Sequence, residues 1–295
     1  MTLFEDQIKH YRKQAGLSQE KMAEKIGVSR QAITKWKNGT GTPDISNLMA
    51  IANLFQISID ELLSNEKTES KKSDYIYESR TEYDIDGKKD FDIELGGAYK
   101  VDLKAYNGEK IIFELFSNVY KNIQSDYKIK IDDNRHNIDI ELARLNGVSE
   151  AIAKESLIVN INIPAKYIGR VEISVNAGSL TVTDIKNGNI EINGKLSEVI
   201  LDGNESEIEI ASNLDMQVNV TSHEGEIEIN QLSATSRLII PESFSFRSAK
   251  KGIANTIYYE KHGKKVDSFS NDESNNYIEL NGLKSELVIA IDEEY

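Results

Sequence analysis

Between Gln19 and Asn38 the chain reads QEKMAEKIGVSRQAITKWKN, a stretch that leaves little conformational choice. At helical spacing, Met22, Ala23 and Ile26 share one face of a short segment, and Ile33 and Trp36 share the matching face of a second. Gly27 falls between them, where the chain must reverse within about three or four residues, a turn that often needs positive φ. Val28 sits in that turn. Ser29 is placed to cap the second segment by accepting a backbone N–H bond. Ala23 is small where two crossing helices must approach closely. Away from Ile33 and Trp36, the second segment presents Arg30, Gln31, Thr34 and Lys35.

The run GLSQEKMAEKIGVSRQAITKWKNG, from Gly16 to Gly39, continues as TPDISNLMAIANLFQISIDELL, from Thr42 to Leu63. Together they resemble the phage-repressor and Cro type of helix-turn-helix transcriptional regulator, over the first 64 residues only. The resemblance implies that Ser29 to Asn38 is a recognition helix lying in the major groove of double-stranded DNA. Arg30, Gln31, Thr34 and Lys35 match the positions that contact bases. Arg pairs with guanine and Gln with adenine, each worth roughly 1–3 kcal/mol of discrimination. Gln19 and Asn38 match phosphate-holding positions, and Ser29 and Lys37 complete the expected DNA-binding set. Two departures stand out. Lys37 occupies a place where the family commonly has an acid that pairs with an arginine placed like Arg12, so Arg12 and Lys37 are both expected at phosphates. Met22 stands where leucine is usual, a tolerable exchange in a core.

Around this centre the expected domain, residues 1–64, has five helices. The first runs from about Leu3 to Gln14, burying Phe4, Ile8 and Tyr11, and ends at Gly16. Ser18 caps the next. After a turn from Gly39 to Pro43, Asp44 caps a helix burying Ile45, Leu48, Ile51, Ala52 and Phe55. Ser58 with Glu61 forms a capping box for a last short helix ending near Leu63.

A net charge of −14 sits oddly with DNA binding until the chain is divided. Residues 1–65 carry 8 Lys and Arg against 7 Asp and Glu, +1, leaving 27 against 42, −15, for the remainder. Only the first part can approach phosphates without strong repulsion. With 39% hydrophobic and 28% charged residues the chain reads as folded and soluble. The absence of cysteine removes disulfides and thiolate metal sites. The acidic start is not a secretory signal, and apolar runs such as Leu287 to Ile291 are too short to cross a bilayer, which points to the cytoplasm.

Residues 65–74, within SNEKTESKKSD from Ser64 to Asp74, contain no apolar side chain and read as a flexible linker. Fully extended, the stretch reaches roughly 35–40 Å, comparable with the spacing of DNA half-sites. From 75 to 295 the pattern alternates, as in Asp92-Ile-Glu-Leu95, Lys128-Ile-Lys-Ile131, Asn137 to Leu142 and Leu157 to Ile163, marking strands. Arg144 to Lys154 is the one helical or loop interruption expected. Ser179 to Val182, Asn189 to Ile192, Glu207 to Ile210, Gln217 to Val220 and Glu226 to Ile229 repeat a single theme, with glycines at 178, 188, 194, 203 and 225 in the intervals. Tyr277 to Leu280 and Leu287 to Ile291 supply final strands. Stacking by repetition suggests a β-solenoid or stacked β-roll, with a β-sandwich as alternative. This region, with Asn162-Ile-Pro-Ala165 leading into it, resembles the bacterial adhesin type of β-repeat domain.

Glu191, Glu207, Glu209, Glu226 and Glu228 are expected to face outward, as a solvated sheet face rather than a cation site or a glycosidase pair. His10, His136, His223 and His262 are scattered, so no zinc signature forms and no metal or cofactor is expected. Ala177-Gly178 is a dipeptide of the kind some repressors cleave in themselves, yet it lies within the repeats and lacks a nucleophile and base in context. The expectation is therefore a non-enzymatic, sequence-specific transcriptional repressor. It binds a near-palindromic operator as a homodimer, and its β domain serves oligomerisation or the sensing of an effector. The rival is a DNA-tethered scaffold or ligand-binding protein whose β repeats engage another protein.

Overall fold

The computed structural model describes residues 8, 11–12, 17–37, 40–55 and 77–291. The chain divides into two compact units, Met1–Asp74 and Tyr75–Tyr295. In the first, α1 (Gln19–Ile26), α2 (Arg30–Lys37) and α3 (Ile45–Phe55) are the described helices. Ile8, Met22, Ala23, Ile33, Trp36 and Ile51 form their core, each 6% exposed or less. Ile26, Leu48 and Phe55 pack against it, and Phe55 stacks on Tyr11 at 5.9 Å. Ile45 departs from expectation at 75% exposed. It is the first residue of α3, and helical side chains lean toward the N-terminus, so it projects past the helix end rather than onto the core. The expected outer turns of the first helix, the short helix near Leu63 and the linker lie outside the described residues.

In the second unit the alternation does form strands, and three of them are long: Lys89–Tyr106, Ile168–Thr183 and Lys186–Asp202. Each takes part in two parallel ladders in succession. Along the first, Ile140, Ile93, Ile173, Ile192, Ile210, Ile229 and Leu280 stand in register on neighbouring strands. Along the second, Val101, Leu180, Val199, Val218, Leu238, Ile289 and Tyr259 do the same. The inward side chains of both ladders merge into one hydrophobic cluster. Gly178, Gly188 and Gly194 lie within strands rather than between them. At Gly194, φ is +135° and a Cβ would come within 1.9 Å of the Val175 carbonyl oxygen, so only glycine lets the chain turn there. Beyond the expected interruption, which is the helix Glu150–Ser156, a short helix Ile123–Asp126 and a 3-10 turn Ala165–Tyr167 also appear.

Chain order and stacking order part company at both ends. Lys89–Tyr106 lies between the later strands Asn137–Arg144 and Ile158–Pro164 on one side and Ile168–Thr183 on the other. Likewise Tyr277–Leu283 is inserted between Glu226–Leu232 and the earlier strand Arg247–Lys250. Buried amides stitch the corners. Asn204 donates to Val182 O at 2.9 Å and accepts from Ile185 N at 3.0 Å, and Asn255 repeats this with Gly282 O and Ser285 N, each at 3.0 Å.

Because Ile289, on the strand Glu286–Ile291 between Thr235–Ile239 and its outer neighbour Thr256–Lys261, is 0% exposed, Ile289→Ala should cost about 2–5 kcal/mol in urea unfolding. Half-buried Ile257, on the outer neighbour, should cost clearly less on the same substitution. His223 stands beside Asn204, 5% exposed, with neither ring nitrogen hydrogen-bonded among the described residues. Burial pushes its pKa down from 6.5 to about 4, outweighing the smaller opposing influence of the nearby Glu226 backbone. The unfolded chain therefore protonates first, so stability is complete above about pH 6.5 and falls toward pH 4, by on the order of 2–3 kcal/mol. Chemical denaturation across that window should show the slope, and His223→Leu should flatten it.

Candidate nucleic-acid interface

Three local choices fix the geometry of α1 and α2. Ser18 accepts the Lys21 N–H at 3.1 Å and caps α1. Gly27 closes α1 at φ 74°, with its N–H bonded to the Ala23 carbonyl, the left-handed exit expected from the sequence. Ser29 accepts the Ala32 N–H at 3.2 Å and opens α2. Asp44 repeats the device at α3, accepting from Asn47 N at 2.8 Å and from the Ser46 hydroxyl at 2.7 Å. Those bonds, the Asn47 N–H first, hold its carboxyl below the usual carboxylate range.

With Ile33 and Trp36 turned into the core, Ser29, Arg30, Gln31 and Lys35 are exposed on α2. Thr34 is half-buried, and its hydroxyl donates to the Arg30 carbonyl at 3.0 Å, with Gln19 Oε1 at 3.5 Å. Gln19, at the start of α1, thus lies against the middle of α2 rather than apart from it. Arg12 donates to the Leu17 carbonyl at 2.6 Å, which ties it to the segment entering α1. Lys37 ends α2, while Asn38 lies outside the described residues. In the first turn of α2 there is no acidic residue.

The glutamates singled out in the β unit also come together. Asp139, Asp92, Glu172, Glu191, Glu209, Glu228 and Glu279 form one row across seven parallel strands. Like charges directly opposite one another are destabilising, and interleaved donors offset this. Arg170 meets Glu191 at 3.0 Å, Asn230 donates to Glu209 at 2.6 Å and Asn281 to Glu228 at 3.3 Å. Glu279 is fully buried, held by Lys251 at 2.8 Å and by the Tyr277 hydroxyl at 2.9 Å. Glu226 feels the row: burial first, then the charges of Glu279, Glu207 and Glu228, raise its pKa. Alternation in the sequence had placed Glu191, Glu209 and Glu228 outward, along with Glu207 and Glu226, which stand off this row; the alignment of the first three with Asp139, Asp92, Glu172 and the buried Glu279 requires the register. Among the described residues no three acidic or histidine side chains converge as a metal site would require, and Ala177–Gly178 lies within a strand with Ala177 buried.

A helix-turn-helix family signature matches residues 8–62. The HTH-type transcriptional regulator MJ0272 of Methanocaldococcus jannaschii is 34% identical over 64 residues, 22% of this chain and 97% of its own length. The chain belongs to the helix-turn-helix family. The HTH-type transcriptional activator BcrR of Enterococcus faecalis is 42% identical over 64 residues, 22% of this chain. The match spans only 31% of that relative's length. A crystal structure of a Clostridium sporogenes cell adhesion protein aligns with 74% of this chain and 100% of its own, at 15% identity and a TM-score of 0.34. Among the described residues no helix is long and apolar enough to cross a membrane.

Trp36 is the sole tryptophan and is 6% exposed, so its fluorescence reports on the first unit alone. Removing the α2 cap with Ser29→Ala should lower the stability read by that emission by about 1 kcal/mol. The strand signal in far-ultraviolet circular dichroism should persist unchanged.

Proposed function

We propose that this protein is a sequence-specific DNA-binding transcriptional regulator, a repressor that occupies a near-palindromic operator as a homodimer. The observation that carries the reading is the exposed polar face of α2, held by two serine caps and a left-handed glycine on a helix pair of the helix-turn-helix family. In this reading Arg30, Gln31, Thr34 and Lys35 meet base edges, while Gln19, Ser29, Lys37 and Asn38 hold the backbone. The half-buried Thr34, bonded to its own helix, has the least reach of the set. One small domain reads only a few base pairs, so two copies on related half-sites are the economical route to useful affinity.

The proposed organisation is a DNA-binding domain at 1–64, a linker at 65–74 and a β domain at 75–295 for oligomerisation or sensing, in a cytoplasmic, non-enzymatic protein. For the β domain we favour a parallel solenoid over a sandwich. Support comes from the long strands that serve two ladders in turn and from the almost wholly parallel register between repeats. Repression follows from occupancy itself, since a bound dimer excludes other proteins from the same stretch of duplex.

Selection from random duplex DNA with the full chain tests the reading, with stoichiometry measured on the enriched sequence. Enrichment of a two-fold-related motif is the expected outcome; absence of any enriched sequence overturns it. On the selected duplex, Arg30→Ala should lose roughly 1–3 kcal/mol and relax the preference at one base pair. Lys37→Ala should weaken binding evenly across sequences and reduce the salt slope by about 1.

A further inference from the structure

Where the chain leaves the first ladder for the second, three stacked corners repeat one backbone. Ser233, Lys284 and Ala254 have left-handed φ angles of 52°, 53° and 58°, and each follows an aliphatic residue. Leu232 pairs with Leu283, and Leu283 with Ile253. Leu214 adjoins them on the preceding corner, where Asn213 accepts the Leu232 N–H at 3.1 Å. Leu214, Leu232, Leu283 and Ile253 are 45%, 50%, 37% and 70% exposed. Polar residues would satisfy the same corner geometry, so the fold itself does not require an aliphatic ridge in water.

Beside Leu214 the same edge is hollow. A depression of about 540 Å³ runs from Asn176, Gly194 and Lys195 past Ser212 and Leu214 to Asn230 and Gln231. Past its far end stand Tyr99, 54% exposed, and Ile152, 40% exposed. Six of the nine large exposed hydrophobic side chains of residues 77–291 thus fall along this single edge. Its profile is a ridge at one end, a hollow beside it and a second apolar step beyond.

We propose that this edge is the contact between two copies of the chain, paired antiparallel about a two-fold axis close to Leu214. Leu232 and Leu283 of each copy then lie over the hollow of the other, and Ile253 meets Tyr99 and Ile152. The charges agree. Lys284, on the ridge, is carried toward Glu150, whose carboxylate is held at the far end of the hollow by Asn176 Nδ2 at 2.9 Å. A ridge of this kind exposes on the order of a few hundred Å², the range in which apolar patches are often functional. Alone it falls short of the roughly 800 Å² per partner of a standard interface. Only an arrangement that also engages the hollow and the Tyr99 step approaches that figure. An antiparallel pair does this twice, once from each copy. The inference rests on the dimeric reading proposed above and locates the contact within it.

Sedimentation equilibrium of the full chain should show a reversible dimer with a dissociation constant on the order of micromolar. Ile253→Lys and Leu283→Lys, both at exposed positions, should each raise that constant at least about tenfold while leaving the circular dichroism unchanged. Because the chain has no cysteine, introduced thiols report cleanly on register. Leu214→Cys should form a disulfide-linked dimer with itself. Ile253→Cys and Tyr99→Cys should each remain uncross-linked alone and couple to one another when mixed. A dimer that survives both lysine substitutions, or Ile253→Cys coupling to itself, overturns this contact and leaves the dimeric reading standing. A chain that stays monomeric, alone and on its selected duplex, removes both.

Discussion

Parallel stacking in register is the constraint on which the two ladders within residues 77–291 depend. Side chains alternate with a period of two, so an isoleucine such as Ile192 remains inside only while Ile173 and Ile210 lie directly beside it. A slip by one residue would bring Glu191 or Asn193 into the interior and expose the aliphatic row. Burial of the stacked aliphatic residues therefore selects the register, and the register in turn dictates the surface. A side chain at one level lies beside its counterpart at the next, which is how seven carboxylates came to share one row and four aliphatic residues one ridge. The carboxylate row costs free energy that Arg170, Asn230 and Asn281 offset in part.

The first unit solves a different problem. Among the described residues its core is a handful of side chains around Trp36, and a domain this small has limited surface to bury, so caps and a glycine turn carry much of the definition. Ser18, Ser29 and Asp44 each satisfy an N-terminal N–H that would otherwise have no partner. The outcome is a helix whose buried face fixes its angle and whose polar face is left free for the recognition proposed. Rigidity of that presentation matters more than the identity of any one polar residue, because base-edge hydrogen bonds tolerate little displacement.

Insertion of Tyr277–Leu283 between earlier strands has a consequence for cooperativity. In a simple linear array the last repeat contacts one neighbour and frays easily. Here the final strands are flanked on both sides, and Phe246, Tyr259 and Phe269 pack edge to face at 5.8 and 5.3 Å near the true end. The strand Glu286–Ile291 is thereby tied into the core instead of closing it off. The insertion of Lys89–Tyr106 at the opposite end has the same effect.

The sequence by itself determined the short-range features: two amphipathic helices with their caps and turn, and strands at Asp92–Leu95, Asn189–Ile192, Glu207–Ile210 and Glu226–Ile229 with glutamates facing out. Each depends on neighbours within a few residues, where periodicity and capping chemistry suffice. Exposure of Ile45 escaped that reading because helical spacing does not say where a helix ends relative to its core. Glycines 178, 188 and 194 were legible as interruptions, but only the folded backbone shows that strands pass through them. Tertiary structure alone decided which strand lies beside which. Asn189–Ile192, Glu207–Ile210, Glu226–Ile229 and Tyr277–Leu280 present nearly the same alternation, so local pattern cannot say which of them lie side by side. That choice is made by packing across long sequence separations, and with it come the buried state of His223 and Glu279, the acidic row and the aliphatic ridge.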